Sequence, residues 1–246
     1  MRFVVRLASL AILFLTTHCQ KRRANSQMAG AHPVGPDACY SQHIEDAMRT
    51  NTTRKPIYEK LTGGKSTAVS DTLLYSESQL LTSAAQLDAA ANPWRKAGVP
   101  VLCLDFVSMS HLPEFQEKVD AQLPDKYLPP MTEEEHAELS KTESIATIGE
   151  KADQMLQTLE NGGTVHCMYR HVLETVRRSA QLTPYYREQA LAKGLADTDS
   201  LMNSFVRFAV QSLAPAAKLD HLAFEVHKMD VPIICQDVPD IPPFTK

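Results

Sequence analysis

The chain has 246 residues, 43% hydrophobic and 22% charged, a composition that supports a packed core and excludes a disordered polymer. Twenty-five Lys+Arg against 29 Asp+Glu leave a formal charge of −4, the wrong sign for binding nucleic acid by bulk phosphate attraction. No apolar run reaches the ~18 residues that an ordinary membrane-spanning helix needs.

Residues 1–31 read as an export leader. Arg2 and Arg6 flank the start, an apolar block runs from Leu7 to Leu15, and polar Thr16, Thr17, His18 and Cys19 follow. That is the layout of a secretory signal. Cys19 points to lipid attachment, but His18 is bulky where a small residue is expected. Ala29-Gly30-Ala31 supplies an A-x-A site farther on. Lys21-Arg22-Arg23 fits a different outcome, an uncleaved anchor held at the membrane surface. The expectation is an exported protein, whether periplasmic, secreted or membrane-anchored. This leader holds five Lys/Arg and no acid, which leaves 20 basic against 29 acidic groups and a body charge of −9.

The body repeats itself. At an offset of 128, residues 39–78 lie on 167–206, so that Cys39 meets Cys167, His43 meets His171, Arg49 meets Arg177 and Pro56 meets Pro184. Tyr58 then meets Tyr186, Asp71 meets Asp199 and Leu73 meets Leu201. Four extra residues in the second copy raise the offset to 132. Residues 84–106 then lie on 216–238, pairing Leu87-Asp88 with Leu219-Asp220 and Val99-Pro100 with Val231-Pro232. In all, 20 of 63 aligned positions are identical, against a chance level of about 6%.

In each copy a helical run opens at the cysteine, with Asp37 placed to cap the first. Pro56 and Pro184 are read as starts of a second short helix. A longer helix follows through Val69, Leu73, Leu80, Leu81 and Ala84, or through Leu201, Phe205, Phe208, Ala209 and Leu213. Gly63-Gly64-Lys65-Ser66 resembles the tail of a phosphate loop but reads better as a helix cap and turn. The aliphatic runs 99–105 and 231–237 are read as strands pairing about a pseudo-twofold axis. Between the copies, Thr132 and Glu135 form a capping-box signature, and Glu133-Glu134-Glu135-His136 is read as a solvated first turn. Ile145, Ile148, Ala152, Met155 and Leu159 then make a helical stripe ending at Gly162-Gly163 and expected to pack on both copies. The expected fold is therefore mainly α with two short β-strands. A single domain, 32–246, comprises repeat 1 (37–106), a helical connector (107–163) and repeat 2 (165–238), the copies related by a pseudo-twofold.

The body cysteines Cys39, Cys103, Cys167 and Cys235 fall at equivalent positions, two per copy, and in an exported protein an even count implies disulfides. Equivalence favours pairing within copies (Cys39–Cys103, Cys167–Cys235), each bond tying the start of a copy to its end; pairing across them (Cys39–Cys167, Cys103–Cys235) is the competing connectivity. A metal site is the alternative use. His43 lies four residues after Cys39 on one helix face, and Asp105 two after Cys103 on one strand face, with His171 and Asp237 repeating this beside Cys167 and Cys235. Each copy would gather Cys, His, Cys and Asp, a plausible zinc set. Asp105 and Asp237 also have a simpler use in capping turns, or could meet as an acid pair. No C-x-x-C, G-x-S-x-G, H-E-x-x-H or complete P-loop is present. Asn51-Thr52-Thr53 is a glycosylation sequon. The function expected is a binding or structural role toward an envelope or extracellular ligand, with no cofactor and no nucleic-acid partner. The alternative is a zinc-binding protein or metalloenzyme.

Overall fold

The computed structural model describes residues 38–104, 126–142, 144–159, 166–195 and 198–229. The leader, the runs around Asp105 and Gly162-Gly163, and the end containing Cys235 and Asp237 lie outside them. The described helices are α1 (Cys39–Leu61), α2 (Thr67–Lys96), α3 (Glu133–Thr142), α4 (Ile145–Leu159), α5 (Cys167–Ala192), α6 (Thr198–Gln211) and α7 (Leu213–His227). All belong to one unit, Pro36–Lys246. Among the described residues no helix is long and apolar enough to cross a membrane.

Several boundaries follow from local chemistry. Leu61 ends α1 because Gly63 and Gly64 turn to φ +59° and +86°, where a Cβ is disfavoured, and the Gly64 N–H closes the last turn on the Glu59 carbonyl. The capping box opens α3: Thr132 N–H donates to Glu135 Oε2 at 2.7 Å, and Glu135 N–H donates to Thr132 Oγ1 at 3.2 Å. Ser144 Oγ caps α4 by accepting from Thr147 N–H at 3.2 Å.

Other expectations change. Pro56 and Pro184 lie inside continuous helices, α1 and α5, rather than at helix starts. Buried Ile44, Ala47 and Asn51 before Pro56 and Tyr58 after it pin both flanks, as Ser179, Ala180 and Tyr186 do around Pro184. Packing thus outweighs the lost backbone bond. Of the two long helices expected, the one through Val69 and Ala84 is unbroken, as α2. The one through Leu201 and Leu213 breaks at Ser212 between α6 and α7, where Pro215 cannot donate to a carbonyl one turn back. The run beginning at Val99 is no strand: residues 101–104 form turns and a bend, with Leu102 at φ +69°. A short apolar run has no period to separate strand from buried turn. Here the backbone bonds close locally, Val101 N–H to Val99 O and Cys103 N–H to Pro100 O. The second expected strand lies outside the described residues.

Two cores result. One joins Tyr40, Ile44, Ala84, Ala91, Trp94 and the 99–102 turn to Tyr186, Leu201, Met202 and Phe205, so both halves contribute to it. Tyr40 meets Phe205 edge to face at 5.3 Å between centroids. The other joins the connector residues Leu139, Ile148, Ala152 and Leu156 to α5, α6 and α7. The connector helix α4 packs on α5, and Ile145 at its start touches both cores. Gly149 sets their spacing, because a Cβ there would lie 2.7 Å from the Ala180 Cβ. Gly149→Ala is therefore expected to cost up to about 2 kcal/mol: overpacking of roughly 1–3 kcal/mol less ~1 kcal/mol of helix propensity. The double variant Gly149→Ala/Ala180→Gly restores the clearance. Urea unfolding tests this, and a single variant about 1 kcal/mol more stable than the parent, the gain that helix propensity alone gives, would show that the helices are not seated this way.

Candidate functional site at the seam between α1 and α5

Both first helices begin at a cysteine and carry no cap of their own. The orphan N–H groups of their first turns are met instead by a carboxylate from another helix. Asp88 on α2 accepts from Tyr40 N–H (3.1 Å) and from Ser41 N–H (2.6 Å) and Oγ–H (2.8 Å). Asp220 on α7 accepts from Met168 N–H (3.0 Å) and Tyr169 N–H (2.9 Å). Asp37, expected to cap α1, lies outside the described residues. The carboxylates differ in charge balance. Asp88 is paired with Arg95, one buried ion against another, and Arg95 Nε–H also donates to the Val101 carbonyl at 3.0 Å. Burial raises the Asp220 carboxyl well above its usual range, while its two backbone hydrogen bonds pull the other way.

The same correspondence runs down the helices. Asp46 pairs with Arg49 in α1, and Glu174 with Arg177 in α5. Asp71 is held by Lys55 and Asp199 by Arg187, cations from positions that do not align. One turn beyond each cysteine stand His43 and His171, 4% and 6% exposed, stacked at 5.6 Å with their planes 25° apart. Burial, and for His43 the charge of His171, lower His43 to about 3, and burial lowers His171 to about 4. Both rings are thus neutral at pH 7.

Beside this stack is a cavity of about 90 Å³. Tyr40, His43, Ile44 and Ala47 of α1 face Met168, His171, Val172 and Thr175 of α5, each lying 128 positions after its counterpart. One side is closed by Leu73, Ser76, Glu77 and Leu80 of α2, the other by Ala209 of α6, Ser212 at the break, and Pro215, Ala216 and Leu219 of α7. The Thr175 hydroxyl donates to the His171 carbonyl (3.1 Å) and the Ser212 hydroxyl to the Phe208 carbonyl (3.1 Å). Glu77 Oε1 accepts from Asn51 Nδ2 at 2.7 Å. His171 Nδ1, by contrast, is buried with no hydrogen-bond partner.

Among the described residues the expected zinc constellation is not gathered. Cys39 and Cys103 are joined as a disulfide with Cα atoms 5.3 Å apart, and a disulfide offers no thiolate to a metal. His43 faces His171 instead. Cys167 is also disulfide-bonded, and Cys235, Asp105 and Asp237 lie outside the described residues. Among the described residues no group of three or more His, Cys, Asp or Glu side chains is placed to hold a metal. Asn51 of the sequon is 3% exposed and hydrogen-bonded to Glu77, which withdraws it from glycosylation. Glu133 to Glu135 are exposed, with Glu133 on Lys218 at 2.7 Å, while His136 turns inward to the Tyr169 hydroxyl at 3.1 Å. The structure adds Asp88, Asp220 and Glu77, which sequence reasoning leaves without a role. Their signal is present in Leu87-Asp88 and Leu219-Asp220, aligned across the repeat. Compared with known protein families, curated proteins and solved structures, the chain matches none at a significant level.

Proposed function

We propose that this is an exported small-ligand-binding protein, built by tandem duplication, whose site is the cavity between α1 and α5. One observation carries the reading: four equivalent positions of each helix line that cavity, beside a buried imidazole nitrogen without a partner. The duplication is supported by matching roles as well as matching letters. Asp88 and Asp220 cap the two first helices at the same two positions, and the two i,i+3 ion pairs recur. Export is supported by the leader and by the Cys39–Cys103 disulfide, a bond that persists in oxidising compartments. By the same symmetry Cys167 pairs with Cys235.

The lining is mostly apolar, both imidazoles are neutral, and the volume lies below the ~150 Å³ of an engineered cavity that takes benzene. The fitting ligand is a small uncharged molecule with one hydrogen-bonding group. A hydroxyl serves either tautomer of His171, because it both donates and accepts. We take 1-propanol as the probe. With four non-hydrogen atoms its Kd is no tighter than roughly 40 µM at the best ligand efficiency. In a titration followed by NMR, shifts are expected at α1 and α5, and Ala209→Leu, which fills the cavity, should abolish them. Equal shifts in both proteins would remove the binding site. Recovery of the protein in the cytosol with residues 1–31 intact would overturn export.

A further inference from the structure

We infer that the His43–His171 stack is an acid-sensitive latch, protonation of which parts α1 from α5 and opens the cavity between them. The opening would regulate the binding site proposed above and rests on that reading for its purpose, though not for its physics.

The geometry carries the argument. The rings come from equivalent positions on the two first helices, are both buried, and lie in contact at the cavity edge. Neutral imidazoles can stack there, but two imidazolium ions repel each other and lose their hydration. The surroundings offer little to balance two charges. From α2 the facing titratable group is Glu77, already hydrogen-bonded to Asn51. α7 brings one titratable group, Asp220, on the Met168 and Tyr169 N–H groups at the start of α5 and pushed toward its neutral form by burial; Ala209, Ser212, Pro215, Ala216 and Leu219 are uncharged. On α1 the neighbours are Tyr40, whose hydroxyl stays protonated because burial raises it, and Asp46, held by Arg49. On α5 they are Arg170 beside His171 in sequence and Glu174, held by Arg177.

The sign is fixed by linkage. The closed-state values, about 3 and about 4, lie below the ordinary 6.5 that each ring regains when opened. The closed state is therefore favoured above pH 6.5 and loses ground as pH falls toward those values. Each histidine shifts the equilibrium about tenfold per pH unit in that window. Between pH 7 and 5 the two together favour opening by about 500-fold.

Hydrogen exchange at both pH values, corrected for intrinsic rates, reads this directly in the full chain without ligand. Amides of α1 and α5 around the stack should open about 500-fold more at pH 5, whereas α3 and α4 keep their protection. His43→Phe/His171→Phe, which keeps ring stacking but has no proton to gain, should change less than about fivefold. His43→Leu/His171→Leu serves the same purpose if the phenylalanine pair does not fold. Equal pH responses in parent and variants would overturn the latch. So would loss of protection throughout the chain at once, which is global acid unfolding. Because no ligand is present, failure of 1-propanol to bind would leave this result standing.

Discussion

Arg95→Met is expected to lower the free energy of unfolding by about 3–5 kcal/mol, as removal of one partner of a buried ion pair generally does. The Arg95 side chain is 1% exposed and that of Asp88 3% exposed, so neither charge has water to fall back on. The loss has two routes. Asp88 keeps its donors from Tyr40 and Ser41 but loses its counter-charge, and the Val101 carbonyl loses the Nε–H that fixes the turn leading to Cys103. Equilibrium urea unfolding measures the change. The partner variant Asp88→Asn/Arg95→Met removes the stranded charge while keeping one capping oxygen. It should therefore be more stable than Arg95→Met alone. A loss below about 1 kcal/mol in Arg95→Met would mean that Asp88 and Arg95 do not form a dry, buried pair in the folded protein.

Reduction of the Cys39–Cys103 disulfide should cost nearly as much. The two residues are 64 apart in sequence, and closing a loop of that length removes about 4 kcal/mol of chain entropy from the unfolded state before native strain is subtracted. Cys39→Ser/Cys103→Ser should reproduce the loss, and adding reductant to that variant should not repeat it for this bond. Because Cys39 and Cys103 are 1% and 6% exposed, reductant must wait for opening, so mild conditions should reduce the bond slowly. Intact mass after alkylation without reductant gives the complementary reading. Adducts at Cys39, Cys103 and Cys167 would contradict the bonding described.

Features set by neighbours in the chain are legible in the sequence alone. Thr132 and Glu135 act on each other across one turn, Gly63 and Gly64 need only their own backbone freedom, and the stripe on α4 follows from helical period. The Cys39–Cys103 pairing follows from equivalence of positions, which by itself leaves the cross-copy pattern open. What the sequence hides depends on distant partners. The run 99–104 carries apolar residues that suit a strand, yet in the fold it meets the guanidinium of Arg95 and the sulfur of Cys39 instead. Cys39 and His43 do share a helix face, but at successive turns that face meets different neighbours: Cys103 first, then His171. No spacing rule places His43 against a ring 128 positions away. Likewise, Asp88 and Asp220 look like ordinary polar positions until α1 and α5 present their bare N–H groups to them.

The break at Ser212 gives the two sides of the cavity unequal stiffness. On one side, Leu73 to Leu80 sit within α2, a helix of 30 residues and about 45 Å whose backbone bonds resist bending beside the cavity, Pro93 lying well beyond it. On the other, Ala209 belongs to α6 and Leu219 to α7, with a joint between them. A small rotation at that joint changes the volume between the walls without unwinding either helix. The first half therefore serves as the anvil and the second as the compliant jaw, and any occupant would be accommodated by movement of the second.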